Sequence, residues 1–370
     1  VKLRRIIAPL LLTTLLMAVG GGIWYSHTQL GNTRQSQQEQ ARQVTVRGLI
    51  GSEKETFFAD PRVQQALLAH GITVQVEKAG SRSIASRYDP QQYDFGFPSG
   101  APAAAQLQQQ AKAGQVFNPF YTPMVLASWE PIAQILVANG MARKEDGIYY
   151  VHDMPRLMQV IGQGTRWRDL PHSNAFATSK SVLIHSTDVR TSNSAAMYLA
   201  LASYLANGEQ VVQSQADIER VLPQVTPLFL RQGFQESSSA APFEDYLALG
   251  MGKAPLLMAY ESQMLEFWLQ QPDAISSPMV ILYPQPTVYS KHVLIPYTPA
   301  GVRLGEVLEN DPALRELIHA YGYRTGGARK GPELWAEHGI KTPEVIVDVI
   351  DPPSQEWLER LIQRIERAFQ

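Results

Sequence analysis

Two stretches of this chain set small polar residues and a cation at the end of an apolar run. Val44 to Ile50 leads into Gly51-Ser52-Glu53-Lys54, and Ile72 to Glu77 leads toward Gly80-Ser81-Arg82. A hydroxyl, free backbone N–H groups and an ammonium or guanidinium in one place suit a carboxylate or oxyanion. The chemistry on offer is reversible binding. Each stretch also has a plainer reading. Ser52 and Glu55 fit a capping box, with Lys54 a solvated lysine. Gly80-Ser81 is ordinary turn chemistry. Ser99, in Pro98-Ser99-Gly100 after a third apolar run, extends the pattern, although a helix N-cap alone explains it.

Further along, Thr191-Ser192-Asn193-Ser194 precedes an Ala- and Leu-rich segment that reads as a helix to Asn207. Four hydrogen-bonding side chains are more than one cap needs. Tyr260 and Glu261 close a buried strand that starts at Pro255. A carboxylate at that end disfavours a bare anion and suits an amine or a cation; its other reading is an ion pair with a neighbouring cation. Lys54 and Arg82 therefore speak for an anionic group, and Glu261 for a positive one.

Signals for catalysis are poor. The chain has no nucleophile elbow, no phosphate-binding P-loop and no His-Glu-x-x-His. The eight histidines are scattered, and none pairs at metal spacing on one helix. Gly250-x-Gly252 is too short for a dinucleotide fingerprint and reads as a helix stop before a strand. With no cysteine, disulfides, thiolate metal sites and a lipid-modified cysteine anchor are excluded. No cofactor is expected. A formal net charge of −2 gives no basic footprint for nucleic acid. The 370 residues, 45% hydrophobic and 18% charged, suffice for two α/β units with full cores.

The positioning elements alternate. After Val44–Ile50 a helix begins at Ser52 and restarts at Asp60-Pro61, with Asp as cap and Pro at the first position. Gly71 stops it. Strands follow at Ile72–Glu77, Tyr93–Phe97 and Tyr121–Trp129, with an Ala- and Gln-rich helix after Gly100. Helices are predicted over Glu130–Asn139, Val151–Ile161, Phe243–Leu249 and Leu304–Tyr321, and a short buried strand over Ser181–His185. Met279 to Tyr297 reads as a bent crossing segment, interrupted by Pro284 and Pro286. Gly326 to Gly339 looks loop-like. In a last helix, Trp357, Leu361, Ile365 and Phe369 share one face.

The first 25 residues differ from the rest. Lys2, Arg4 and Arg5 precede an uncharged run of about 19 residues, Ile6 to Trp24, nearly enough to cross a bilayer core. This predicts a transmembrane anchor over residues 1–25, N-terminus in the cytoplasm, with a polar linker over 26–43 outside. The rival is a cleaved signal peptide, for which Ala18-Val19-Gly20 is a poor cleavage site. Both export the domain; in a Gram-negative cell it faces the periplasm.

The order strand-GSEK-helix, AGSR, FPSG, STDVRTSNSAAMYLAL, LLMAYESQ and VILYPQPTVYSKHVLIPYT resembles the bacterial extracellular solute-binding proteins, in the branch of the molybdate- and sulfate-type periplasmic receptors. The resemblance covers about Val44 to Arg324. It implies an α/β, two-lobed, type II periplasmic-binding-protein-like fold, each lobe a mixed sheet flanked by helices. Residues 44–128 would begin lobe 1, 129–277 form lobe 2, and 278–370 return to lobe 1, with crossings near Trp129 and Pro278. Ser52, Lys54, Ser81, Arg82 and Ser99 would face a ligand from one lobe; Ser192, Asn193, Ser194, Tyr260 and Glu261 would face it from the other. The implied role is non-enzymatic: a membrane-anchored inner-membrane protein with a periplasmic domain that captures a small polar or anionic ligand for an ABC-type permease. The alternative is a ligand-sensing or structural partner of other envelope proteins, without transport.

Overall fold

A computed structural model describes residues 43–233, 235–326 and 330–369. The expected anchor and nearly all of the polar linker lie outside these residues. No helix among the described residues is long and apolar enough to cross a membrane.

Strand β1 (Val44–Ile50) exposes Thr45 and Arg47 and then buries Gly48, Leu49 and Ile50, as a central strand must. A single 3-10 turn over Ser52–Lys54 follows, then α1 (Glu55–Ala59) and α2 (Pro61–Ala69). The Asp60 carboxylate caps α2, accepting from the Arg62 N–H at 2.7 Å. The capping box expected from Ser52 and Glu55 does not form: neither the 3-10 turn nor α1 has a side-chain cap. The tight turn swings Glu53 and Lys54 inward instead. Strand β2 (Ile72–Lys78), α3 (Ser81–Ile84), β3 (Phe95–Phe97) and α4 (Ala101–Ala111) continue the first unit. Both β2 and β3 run parallel to β1.

Strand β4 (Phe117–Trp129) is long and changes partners midway. After it come α5 (Glu130–Ala138), the hairpin β5 (Arg143–Glu145) and β6 (Ile148–Val151), α6 (Met154–Gly162), α7 (Asn193–Ala206), α8 (Gln215–Leu230) and α9 (Ala240–Leu249). Then follow β7 (Leu256–Tyr260), α10 (Glu261–Gln270), β8 (Met279–Pro284) and β9 (Thr287–Pro296). The chain ends with α11 (Pro299–Asn310), α12 (Pro312–Ala320), α13 (Lys330–Glu337), β10 (Val349–Ile350) and α14 (Gln355–Ala368).

The ten strands form one connected path that divides at β4 into two mixed sheets. The first has the order β2-β1-β3-β9-β4, and the second β5-β6-β8-β4, with β7 on the other side of β4. Strand β4 pairs with β9 as far as Pro123 and with β7 and β8 from Met124 onward. The exchange of sheets therefore falls between Pro123 and Met124, before Trp129. The β8–β9 run crosses back.

Each sheet has its own core. The first is aromatic, with Phe57, Phe95, Phe97, Phe117 and Phe120 against Leu294 and Leu304. The second surrounds α7, whose Met197, Leu199 and Leu201 are fully buried among Val221, Phe229 and β-strand residues. Helix α14 buries Leu358, Leu361, Ile362 and Ile365 in that second core. It also touches α4 of the first unit. Two elements differ from the sequence reading: the β5–β6 hairpin precedes α6, and the segment over 330–337 is helical. Helix α8, to which the sequence reading assigned nothing, carries Pro223 and Pro227 inside it.

Candidate functional site

The ends of β1, β2 and β7 and the start of α7 meet at one narrow crevice with a free volume of about 10 Å³. It is lined by Gly51, Ser52, Glu53, Gly80, Ser81, Ser192, Asn193, Ser237, Ser238, Ser239 and Tyr260. The parallel strands of the first sheet deliver their carboxyl ends there, where open α/β sheets bind ligands. A wider groove of about 230 Å³ shares Ser52 and Glu53 and runs between α1 and the α9–α10 pair. Its walls include Phe243, Leu247, Phe267 and Glu266. Burial pushes the Glu266 carboxyl up, against hydrogen bonds from Thr56 and Gln270. Neither lining includes a cation among the described residues.

The two units are in close contact around the crevice. The Asn193 amide donates to the Tyr260 hydroxyl at 3.1 Å and to Ser290 Oγ of β9 at 3.3 Å. Its carbonyl oxygen lies against Gly100, which has a φ of 91° and no room for a Cβ. Thr191 O lies 2.8 Å from where a Cβ of Gly80 would sit. The Gln263 amide oxygen accepts from the Tyr260 N–H at 3.1 Å and fixes the start of α10.

Behind the crevice lies a buried ionic cluster. Lys54 is fully buried (0%). Its ammonium bonds to the Glu53 carboxylate, to Ser99 Oγ at 2.9 Å and to His292 Nδ1 at 3.0 Å. Ser99 Oγ also donates to Glu53, and Ser99 and His292 face each other across an isolated antiparallel bridge. Burial would raise the Glu53 carboxyl, but Lys54, His292 and the hydrogen bond from Ser99 reverse this and hold it at about 2. Burial lowers Lys54, and Glu53 opposes it. Burial, reinforced by Lys54, keeps His292 neutral, with its pKa well below the usual histidine value. Because Lys54 donates to Nδ1, Nε2 carries the histidine proton. That Nε2 has no hydrogen-bond partner and sits among the rings of Phe97, Phe120, Tyr260 and Tyr323.

A second buried pair follows Tyr260. Glu261 Oε2 accepts from Arg324 Nε at 2.6 Å, and Oε1 accepts from Nη2 at 2.8 Å and from the Tyr283 hydroxyl at 2.7 Å. Arg324 also donates to Pro343 O at 2.9 Å and lies over the Trp335 ring. Burial opposes the Arg324 charge, but Glu261 outweighs it and the pKa is raised.

The crevice therefore gathers Ser52, Ser81, Ser192, Asn193 and Tyr260. Lys54 and Ser99 stand one layer behind it. Ser81 Oγ accepts from the Ser99 N–H at 3.0 Å, which connects the layers. Ser194 is tied to Thr187 at 2.8 Å and Ser192 at 3.1 Å. Arg82 is engaged by Arg190 O at 3.1 Å and Glu359 at 2.7 Å, and Glu261 by Arg324. Sequence reasoning missed Glu53, His292 and Ser237-Ser238-Ser239. The run of three serines was a legible signal; Glu53 and His292 become partners only through folding.

Three solved structures share the fold. A periplasmic thiamin binding protein matches with a TM-score of 0.57 and 10% identity, covering 89% of this chain and 97% of that one. Iron-bound HitA from Pseudomonas aeruginosa gives 0.56 and 11%, covering 88% and 99%. The fold is that of the periplasmic binding proteins. AfuA from Actinobacillus pleuropneumoniae, with fructose-6-phosphate bound, gives 0.55 and 10%, covering 86% and 97%. At these identities the likeness shows the two-lobed periplasmic-binding-protein fold, and its spread over such receptors does not single out the molybdate- and sulfate-type branch. No protein-family model and no curated protein matches the sequence.

Proposed function

We propose that this chain is an extracytoplasmic solute receptor that closes two lobes on a small polar ligand and passes it to an ABC-type permease. In this reading residues 1–25 hold it in the inner membrane, 44–128 and 129–277 supply the facing loops of the two lobes, and the domain lies in the periplasm. The observation that carries the proposal is one crevice bordered by side chains of both units: Ser52, Glu53 and Ser81 on one side, Ser192, Asn193 and Tyr260 on the other. Hydroxyls, an amide and a carboxylate without a lining cation favour a neutral or cationic solute over a bare oxyanion.

The reading as a sensor or structural partner draws support from α14. Its Glu359 pairs with Arg82 of the first unit and its Arg364 with Glu219 of the second. A helix tied to both lobes restrains hinge opening.

A thermal-shift screen of amines, amino acids, sugars and oxyanions tests capture. A neutral or cationic compound should raise the melting temperature saturably, and Ser192→Ala/Asn193→Ala should abolish the shift. No responding compound, or an equal shift in the double variant, would remove this crevice as the binding site.

A further inference from the structure

We propose that the first lobe's anion-binding corner is filled by the chain's own Glu53 carboxylate, held as a resident ligand that a free small carboxylate can replace once the side chain is removed. The inference does not depend on solute capture.

The donors that hold Glu53 come from two places in the chain: Lys54 belongs to the turn after β1, and Ser99 precedes α4. His292, on β9, stands behind them and accepts from Lys54 through Nδ1 at 3.0 Å. The Glu53 side chain is only 5% exposed, yet the residue borders the crevice. Its carboxylate folds back over Gly51, where a Cβ would collide with it. The Tyr323 hydroxyl donates to the Glu53 carbonyl at 2.8 Å and holds the backbone of the turn in place. These donors stand at the carboxyl end of a parallel strand, where the fold would otherwise receive an anion from solution. With Glu53 in place, that charge is already supplied. Lys54 is neutralised, and a diffusible carboxylate or oxyanion meets a like charge instead of a free ammonium.

Truncation to alanine removes a CH₂–COO⁻ group, the size of acetate. It leaves Lys54 buried without its counter-ion and an acetate-sized void open to the crevice. Acetate, with chloride at equal ionic strength as control, is therefore the probe. Glu53→Ala should melt lower than the wild type, and acetate should restore several degrees saturably. The wild type and Glu53→Gln, whose side chain still fills the corner, should show no response beyond chloride. Glu53→Ala/Lys54→Met should also ignore acetate, because no buried cation remains. If Glu53→Ala does not accumulate as folded protein, its refolding yield in acetate against chloride reads the same property, with a selective gain expected. Equal effects of acetate and chloride on Glu53→Ala, in melting or refolding, or an acetate response as large in the wild type, would overturn the proposal.

Discussion

The molecule buries two carboxylate–cation pairs, and they are built differently. Glu261 and Arg324 are distant in sequence and meet fork to fork, with the Tyr283 hydroxyl on one carboxylate oxygen and Pro343 O on the guanidinium. Planar bidentate pairing saturates both groups and fixes their orientation. Glu53 and Lys54 are sequence neighbours. Their contacts converge on one carboxylate oxygen and one ammonium, shared with Ser99 and His292. An ammonium is a point charge without a preferred plane. The first pair ties the segments around Tyr260, Arg324 and Pro343 together; the second sits directly behind a crevice. A buried ion pair can thus serve as a staple or as an occupant, and the shape of the cation and the neighbouring empty space separate the two roles.

The largest expected effect breaks the staple. Glu261→Ala leaves the Arg324 charge buried without its partner and should cost about 3–5 kcal/mol, measured by urea denaturation. A loss below about 1 kcal/mol would mean that Arg324 finds water or another acceptor.

Next comes the contact between lobes. Gly100→Ala places a Cβ against the Asn193 carbonyl oxygen at a φ of 91°. It should cost about 1–3 kcal/mol and enlarge the radius of gyration, because α7 must back away. Small-angle scattering beside chemical denaturation reads both; unchanged values in both would show that the two loops do not touch in solution.

The ionic cluster behind the crevice predicts acid sensitivity. The folded-state pKa of His292 lies well below 6.5, so below pH 6.5 the unfolded chain takes up a proton that the folded one refuses. Stability is full above pH 6.5 and falls as the pH drops. From pH 7.5 to 5.5 this one group accounts for a loss of about 1.4 kcal/mol. Glu53, with a folded pKa of about 2, adds a second loss as the pH falls from 4.5 toward 2. His292→Phe should flatten the first decline. An unaltered pH slope in that variant would place the uptake at another group.

The smallest effect concerns Arg82. Its partner Glu359 is 37% exposed, and Arg82→Ala should cost less than about 1 kcal/mol in a thermal melt. A larger loss would make α14 a stronger clasp across the lobes than one surface ion pair implies.

Local chemistry made much of this architecture legible. Asp60-Pro61 announced α2 because a cap and a fixed φ act within four residues. Spacing of apolar residues located α14, with its buried face centred on Leu361 and Ile365. Strand ends identified the loops that border the crevice. What stayed hidden depends on tertiary partners. Helix α8, with Pro223 and Pro227 inside it, was not located, and it forms around buried Val221, Val225, Leu228 and Phe229. Lys54 looked solvated because lysine seldom enters a core. The Glu53 carboxylate, with Ser99 and His292 brought in from β3's exit and β9, makes its burial tolerable. The partner of Glu261 lay in Arg324, and nothing local marks a pair separated by that much chain.

The most direct test of the receptor reading is mass spectrometry of small molecules released from protein purified, without refolding, from its own host. The account predicts a stoichiometric neutral or cationic polar compound that the Ser192→Ala/Asn193→Ala variant does not retain. Finding no compound above buffer blanks, or one retained equally by the variant, would contradict it.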